Sequence, residues 1–557
     1  MRARLETLGV SGVRARTFHS SALAQLHHLV PSTGEVLPSK ALWLRQIANG
    51  LPRPYRFRPA ADLATEIEWA RNRRLTPDTY ADGLDGHEPP LPVDLMLRVF
   101  HRYEERKRRE GRLDFEDVLE QLVRFYDDHP AAAERFRTRC AAITVDEYQD
   151  VNLLQQSLLD HWLGDRDELC AVGDDYQAIY SFTGATPRYL LDLPRRFPHA
   201  AVVRLEANYR STPQVLELAN RLAPSLGGAG KTLRPVAADG PEPALQIAVD
   251  EGRWVAERIS GLHRGEGVPY EEMAVIYRVN ARSEDFEEAL ADAGIPYQVR
   301  GGAFLSRPAA RSMLRRLTRS PEAAAGIAAA EAARLDGLLD ELPAGLGDEE
   351  ATRQADLRRL VQLADAFDGS AAAFVADLES RFRTEGQGRG VHLLTYHRAK
   401  GLEWDAVFLP LLTAGELPAR QAKTDAAIAE ERRLLYVGIT RARRFLFLSR
   451  QAKVRPSPFL AELGLRSGAA EAGAEKGRER AATEDSEAFT ALRAWRKERA
   501  KADGVPAYVV FHDRTLEQLA TRLPRDLGAL LDVPGIGPAK VERYGSDVVR
   551  VLARFDS

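Results

Sequence analysis

The sequence predicts an α/β fold, in which parallel sheets are covered by helices and all-helical segments stand between and after them. Three observations predict it. Short apolar runs end abruptly in carboxylates, as in Cys140-Ala141-Ala142-Ile143-Thr144-Val145 before Asp146 and Glu147, and in Leu169-Cys170-Ala171-Val172 before Gly173 and Asp174. The design recurs at Val202-Val203-Arg204-Leu205, Ala406-Val407-Phe408-Leu409 and Phe445-Leu446-Phe447-Leu448. Runs that are apolar throughout suit parallel strands buried on both faces. Helical stretches at 151–163 and 212–224 lie between them, and such alternation puts ligands at the carboxyl ends of the strands.

Taken in order, residues 22–135 read as mostly helical. Within them Arg102, Arg106, Lys107, Arg108, Arg109 and Arg112 face only Glu104, Glu105 and Glu110. Such a run is ordinarily a solvated helix face, with a DNA contact as the alternative. The helix at 212 has a start signal in Ser211-Thr212-Pro213-Gln214, where serine caps and glutamine reaches back. Residues 305–385 are rich in alanine, leucine and arginine and read as all-helical. Residues 464–486 lack aromatics and are rich in glycine, alanine and charge, the composition of a linker. A small helical unit follows at 488–557. It contains Pro534-Gly535-Ile536-Gly537-Pro538, either a hairpin whose amides meet phosphate or a tight turn between helices.

The 557 residues make three or four domains, with 44% hydrophobic and 29% charged residues as in ordinary globular proteins. A net charge of −3 excludes a uniformly basic binder and leaves room for a local basic groove. Cys140 and Cys170 are too few for a disulfide framework and read as two buried small hydrophobes in a reducing compartment. No run approaches the roughly 20 apolar residues of a membrane helix, and the N-terminus lacks a signal peptide. The expected location is the cytoplasm, with no membrane partner.

Five blocks carry the chemistry. They are Asp146-Glu147-Tyr148-Gln149-Asp150, Gly173-Asp-Asp-Tyr-Gln-Ala-Ile-Tyr-Ser-Phe-Thr-Gly-Ala185, Leu205-Glu-Ala-Asn-Tyr-Arg-Ser211, Thr395-Tyr-His-Arg-Ala-Lys-Gly-Leu-Glu403 and Glu430-Glu-Arg-Arg-Leu-Leu-Tyr-Val-Gly-Ile-Thr-Arg-Ala-Arg443. Paired acids at the end of a buried strand call for a partner, and in phosphate-handling α/β proteins that partner is Mg²⁺. In this order the blocks resemble motifs II to VI of the UvrD/Rep/PcrA-type superfamily 1 DNA helicases, over residues 1 to about 450. The C-terminal unit resembles an HRDC domain, a pairing that resembles an actinobacterial branch of the family.

The resemblance implies two RecA-like lobes of P-loop NTPase type closing on ATP. The first lobe would take residues 1–24 and 130–207, with a helical insert at 25–129. The second would take 208–285 and 390–450, with a short insert at 286–389, a linker at 451–487 and the HRDC domain at 488–557. Asp146, with Glu147, would hold Mg²⁺, and Glu147 would polarise the attacking water. Gln177 would sense the γ-phosphate, Tyr209 would stack on adenine and Glu403 would face the ribose. Arg210 and Arg441 would reach the γ-phosphate, a task suited to a planar fork that stays charged. Thr17, Phe18, His19, Phe182, Thr395 and His397 would meet single-stranded DNA. A lone histidine is ordinarily a core residue, and an aromatic at 182 would stack on bases without reading them. Thr183 stands where many relatives carry arginine. The implied activity is a 3′–5′ DNA helicase and translocase in repair or replication. It would act on single strands and single/double-strand junctions, as a monomer, with protein partners unspecified.

Three departures qualify this. No G-x-x-x-x-G-K-[ST] phosphate loop occurs in the 557 residues. The nearest stretch, Gly227-Gly228-Ala229-Gly230-Lys231-Thr232, has Ser225 at the first glycine position, follows a helix and precedes Pro235, and so reads as a loop coincidence. Met1-Arg2-Ala3-Arg4-Leu5 matches a stretch internal to relatives, which implies that roughly 30 or more upstream residues are missing. A misplaced start or a truncated gene is expected, with a weakly active or inactive product. A remnant that binds DNA without hydrolysing ATP is the other reading. Residues 451–500 contain no cysteine, so the zinc site that some relatives carry there is not expected.

Overall fold

The computed structural model describes residues 12–30, 34–52, 55–300, 304–339, 348–381, 389–465, 487–503, 510–511, 513–531, 533, 536 and 540–555. The chain divides into two compact units. One takes 1–303, 344–352 and 384–464, and the other takes 304–343, 353–383 and 465–557.

The first unit is built around a six-stranded, wholly parallel sheet. Its order is Ala244–Ala248, Ala442–Gln451, Trp404–Leu409, Met273–Tyr277, Val391–Thr395 and Tyr297–Val299. The two apolar runs late in the sequence lie side by side, Ala406 opposite Phe445 and Leu409 opposite Leu448. Met273–Tyr277 lies inside the sheet and all five residues are buried, as expected where both faces are covered. Helices Glu251–Glu266 and Ser283–Asp292 bring Val255, Ile259, Phe286 and Leu290 onto Met273, Phe408 and Phe447. The strand Tyr297–Val299 and the packed residues Phe459, Leu460 and Leu463 extend this body beyond the borders read from the sequence at 285 and 450.

Another sheet of this unit has two parallel strands, Ile143–Val145 and Leu169–Ala171, with Val145 opposite Ala171, and each leads into one of the first two motif blocks. Helix Leu153–Leu163 follows through a capping box of Asn152 and Gln155, and buries Leu154, Leu158 and Trp162. The strand expected at 202–205 does not form, and Val203 and Leu205 are 76% and 81% exposed. A strand needs a ladder partner, and among the described residues none lies beside this run. Cys170, expected to be buried, is exposed, and Cys140 is half-buried. Cys170 faces the open side of a sheet too small to cover it.

The 22–135 region is helical as expected, from Phe18–Leu29 through Pro130–Arg139. Its basic run is not one face. Lys107 is buried, bonded to Asp114 at 2.8 Å and Asp117 at 2.6 Å, while Arg102, Arg108 and Arg109 are exposed. Helix Pro213–Leu226 begins at Thr212, whose side chain makes no cap bond. Ser211, expected to cap, instead donates its hydroxyl to the Ala442 carbonyl at 2.7 Å, and Gln214 accepts from the Gly240 amide.

In the second unit, helices Pro308–Leu317, Ala325–Leu335, Asp348–Asp365 and Ala371–Arg381 pack through Ala310, Ala329, Ala333, Met313, Leu360 and Phe374. Helix Asp348–Asp365 belongs here from Arg353 onward. Arg307 and Asp356 form a buried pair at 2.6 Å. Helices Glu487–Asp503, Asp513–Arg522, Leu527–Leu531 and Ser546–Leu552 gather Leu492, Phe511, Leu519, Tyr544 and Val548 into a core of their own. Ile536 is buried in it. The rest of the 534–538 motif, the 466–486 part of the linker and Met1–Leu5 lie outside the described residues.

Candidate nucleotide and nucleic-acid site

The strand Ile143–Val145 delivers Asp146 and Glu147, both exposed, at its carboxyl end. Glu147 takes a left-handed φ of +54°, strained for a non-glycine residue, and donates its amide to Asp146 Oδ1 at 3.1 Å. Gln149, fully buried, fixes the turn from both sides. Its Nε2 donates to Glu147 Oε2 at 2.6 Å and its Oε1 accepts from the Asp174 amide at 2.9 Å. The first two motif blocks are thereby joined through one amide side chain.

Gln177 stands at the centre. Its Nε2 donates to Asp174 Oδ2 at 2.8 Å, and its Oε1 accepts from Arg441 Nη2 at 3.4 Å. Arg441 follows helix Asp425–Ile439 and is 1% exposed. Its guanidinium also donates to the carbonyls of Val437 at 3.0 Å and Leu402 at 3.1 Å. Burial, and then the neighbouring Arg210, push it down to about 10, so it stays cationic at neutral pH. Arg210 is paired with the Glu403 carboxylate, which Arg443 also approaches at 3.5 Å. Tyr209, beside them in sequence, is 78% exposed and presents a free ring face.

On the other side, Phe182 and His397 meet edge to face with centroids 5.4 Å apart, and Tyr180 is 5.9 Å from Phe182. Phe182 is exposed and the Tyr180 hydroxyl donates to the His397 carbonyl at 3.4 Å. Thr395 ends the strand Val391–Thr395 and is buried. Thr17, Phe18 and His19 lie elsewhere, at the start of helix Phe18–Leu29. Thr17 caps that helix by accepting from the Ser20 amide at 3.2 Å, and Phe18 stacks on Trp162 at 5.7 Å. His19 packs on Phe115 at 5.8 Å, and burial, then Lys40, lower its pKa.

Residues 1–198 match the UvrD/REP helicase N-terminal domain, residues 203–327 and 334–453 the UvrD-like helicase C-terminal domain, and residues 485–552 the HRDC domain. Over 628 aligned residues the chain is 39% identical to the ATP-dependent DNA helicase UvrD2 of Mycobacterium tuberculosis, covering 99% of this chain and 89% of that one. It is 32% identical to UvrD1 of the same organism, over 71% of this chain and 65% of the relative. With DNA helicase II of Escherichia coli it shares 28% identity, over 83% of this chain and 79% of the relative.

The chain belongs to the UvrD/Rep helicase family.

Within this UvrD-type frame the structure adds residues that motif reading passed over. Lys400, inside the block 395–403, donates to Asp150 Oδ2 at 2.5 Å and the Gln177 carbonyl at 2.8 Å, and lies 3.6 Å from Glu147 Oε2. Burial raises the Asp150 carboxyl above its usual value, and Lys400 opposes that rise. Glu430 accepts from the Ser181 amide at 3.2 Å and from its hydroxyl. Each of these bonds joins a residue of the UvrD-type N-terminal region to one of the C-terminal region. The available signal was only their place inside the motif blocks, since other charged residues surround both Lys400 and Glu430 in sequence. Among the described residues no helix is long and apolar enough to cross a membrane.

Proposed function

We propose that this chain is the motor of an ATP-driven DNA helicase that moves 3′ to 5′ along a single strand and opens single/double-strand junctions in repair or replication, as a monomer. The observation that carries its ATP-driven part is the bond between Gln177 and Arg441, one of several contacts that tie the two matched helicase regions together. Around it, Asp146 and Glu147 offer exposed oxygen donors of the kind that would hold Mg²⁺ beside a phosphate chain. Such a cation supplies charge neutralisation. Asp146 would hold it, and Glu147, oriented by Gln149, would polarise the attacking water. Arg441 and Gln177 would face the γ-phosphate, Glu403 would hold Arg210 beside them until phosphate competes for it, and Tyr209 would cover adenine. A motor that reads phosphate from both regions hydrolyses only when they close, which couples ATP to movement.

Phe182 and His397 supply the single-strand platform, since base stacking is indifferent to sequence. Thr395, buried at the end of its strand, leads directly into the turn that carries His397, and His19, its pKa lowered, would contact DNA as a neutral, hydrogen-bonding ring. The 557 residues contain no G-x-x-x-x-G-K-[ST], so by themselves they are expected to hydrolyse ATP weakly. That observation also favours a second reading, a DNA-binding remnant. The test compares DNA-stimulated ATPase of the chain with a version carrying a strand–loop–helix phosphate loop upstream. The extended protein is expected to be strongly active and to lose about 100-fold or more on Glu147→Gln while keeping DNA binding. No activity in the extended protein supports the remnant, and activity retained by Glu147→Gln removes the base assignment.

A further inference from the structure

The glycine stretch 227–230, which imitates a phosphate loop in sequence, holds carboxylates. It turns the chain after helix Pro213–Leu226, with φ of +69° at Gly227, +77° at Gly228 and +56° at Gly230. Such a turn exposes backbone amides that can donate outward. Here the Ala229 amide donates to Asp175 Oδ2 at 3.1 Å and the Lys231 amide to the Tyr176 hydroxyl at 3.4 Å. The Lys231 ammonium pairs with Asp174 and sits 4.4 Å from the centre of the Tyr176 ring. Asp175 is buried, and a Cβ on Gly228 would stand 1.8 Å from its Oδ2, so only glycine lets the loop close on it.

Asp174 has a second duty. Its Oδ2 accepts from Gln177 Nε2 and its Oδ1 from the Tyr176 amide at 2.9 Å, while Gln177 Oε1 accepts from Arg441. A polar chain therefore runs Lys231–Asp174–Gln177–Arg441. It begins and ends in the C-terminal helicase region and passes through the N-terminal one. Lysine supplies the charge that holds Asp174 in the orientation that in turn holds the Gln177 amide.

We infer that Lys231 is a positioning residue: with the glycine loop it latches the two helicase regions together at Asp174 and Asp175 and so sets the orientation of Gln177. The inference rests on the reading of Gln177 as the γ-phosphate sensor. Hydrogen exchange on the full chain, without nucleotide, tests the latch. Lys231→Met is expected to raise exchange at 174–177 about tenfold, and Asp174→Asn to raise it at 228–231. The double variant should exceed neither single one, Gly228→Ala should mimic them, and Lys231→Arg should restore protection. Unchanged exchange at 174–177 in Lys231→Met, or additive single effects, overturns the latch. For the positioning role, in the protein extended upstream by a phosphate loop, Lys231→Met should lower the DNA-stimulated kcat about tenfold with KM for ATP held within about twofold, and Lys231→Arg should recover it. An unaltered kcat overturns that role. If Gln177→Ala leaves kcat intact, the sensor reading fails, while the exchange result stands by itself.

Discussion

Lys400 touches two carboxylates and a carbonyl that precede it by more than two hundred residues. Its partner Asp150 is half-buried, and burial already favours the neutral acid. Removing the cation leaves a carboxylate facing little but protein, the costly half of a broken pair. In Lys400→Met the Asp150 carboxyl should rise further above its reference value of 3.8. An acid whose folded pKa lies above its unfolded one binds more protons when folded, so stability falls as pH rises from the unfolded value through the folded one. The variant should therefore lose more Tm than the parent as pH rises above the reference value of 3.8. Equal losses in both proteins would show that Asp150 is satisfied without Lys400. At the same scale Arg441 illustrates why arginine is required: burial lowers its pKa, yet it remains charged where a lysine at that depth would lose its proton more readily.

Helix Asp425–Ile439 is the element that aims this site. It must approach the sheet closely for Thr440 and Arg441 to leave its end beside Gln177, and Gly438 permits that approach. A Cβ there would meet the Tyr396 ring at 2.4 Å and Leu409 at 3.1 Å. Gly438→Ala should cost about 1–3 kcal/mol, read as a lower Tm, because a packed core accommodates an added methyl only by shifting backbone or side chains. The shift should also reach Arg441, so DNA-stimulated ATPase of the protein extended upstream by a phosphate loop should fall more than heat inactivation explains. An unchanged Tm would mean the helix does not lie this close. The strand elements obey simpler logic: Ala406–Leu409 and Phe445–Leu448 form because each has a ladder partner on both sides, whereas Val202–Leu205 has the composition of a strand and, among the described residues, no ladder partner.

For the whole molecule, a net charge of −3 means that attraction to DNA must come from local groups. Arg102, Arg108 and Arg109 are exposed, but many other cations are spent internally, Lys107 on Asp114, Arg441 on carbonyls and Lys231 on Asp174. Binding to a single strand should still weaken about tenfold or more between about 50 and about 200 mM salt if a handful of phosphates are contacted. A flat salt response would place the binding on stacking at Phe182 and His397 instead.

The sequence by itself determined the parallel α/β fold, the helical segments and the five motif blocks, because buried strands and helix faces are local patterns in hydrophobicity. It placed Asp146, Glu147, Gln177, Arg210, Glu403 and Arg441 in one family frame, and the structure shows Gln177 bonded to Arg441 and Arg210 to Glu403. It could not show that Phe18 leans on Trp162, that Thr395 is buried, or that Cys170 is exposed on a small sheet. Nor could it show that a glycine loop resembling a phosphate cradle closes on Asp175. Those outcomes depend on which surfaces meet. Lys400 and Asp150 are 250 residues apart, and Lys231 and Asp174 are 57 apart. The partner of a charge is fixed by the cost of burying it alone, and tertiary packing alone determines which charges are buried together.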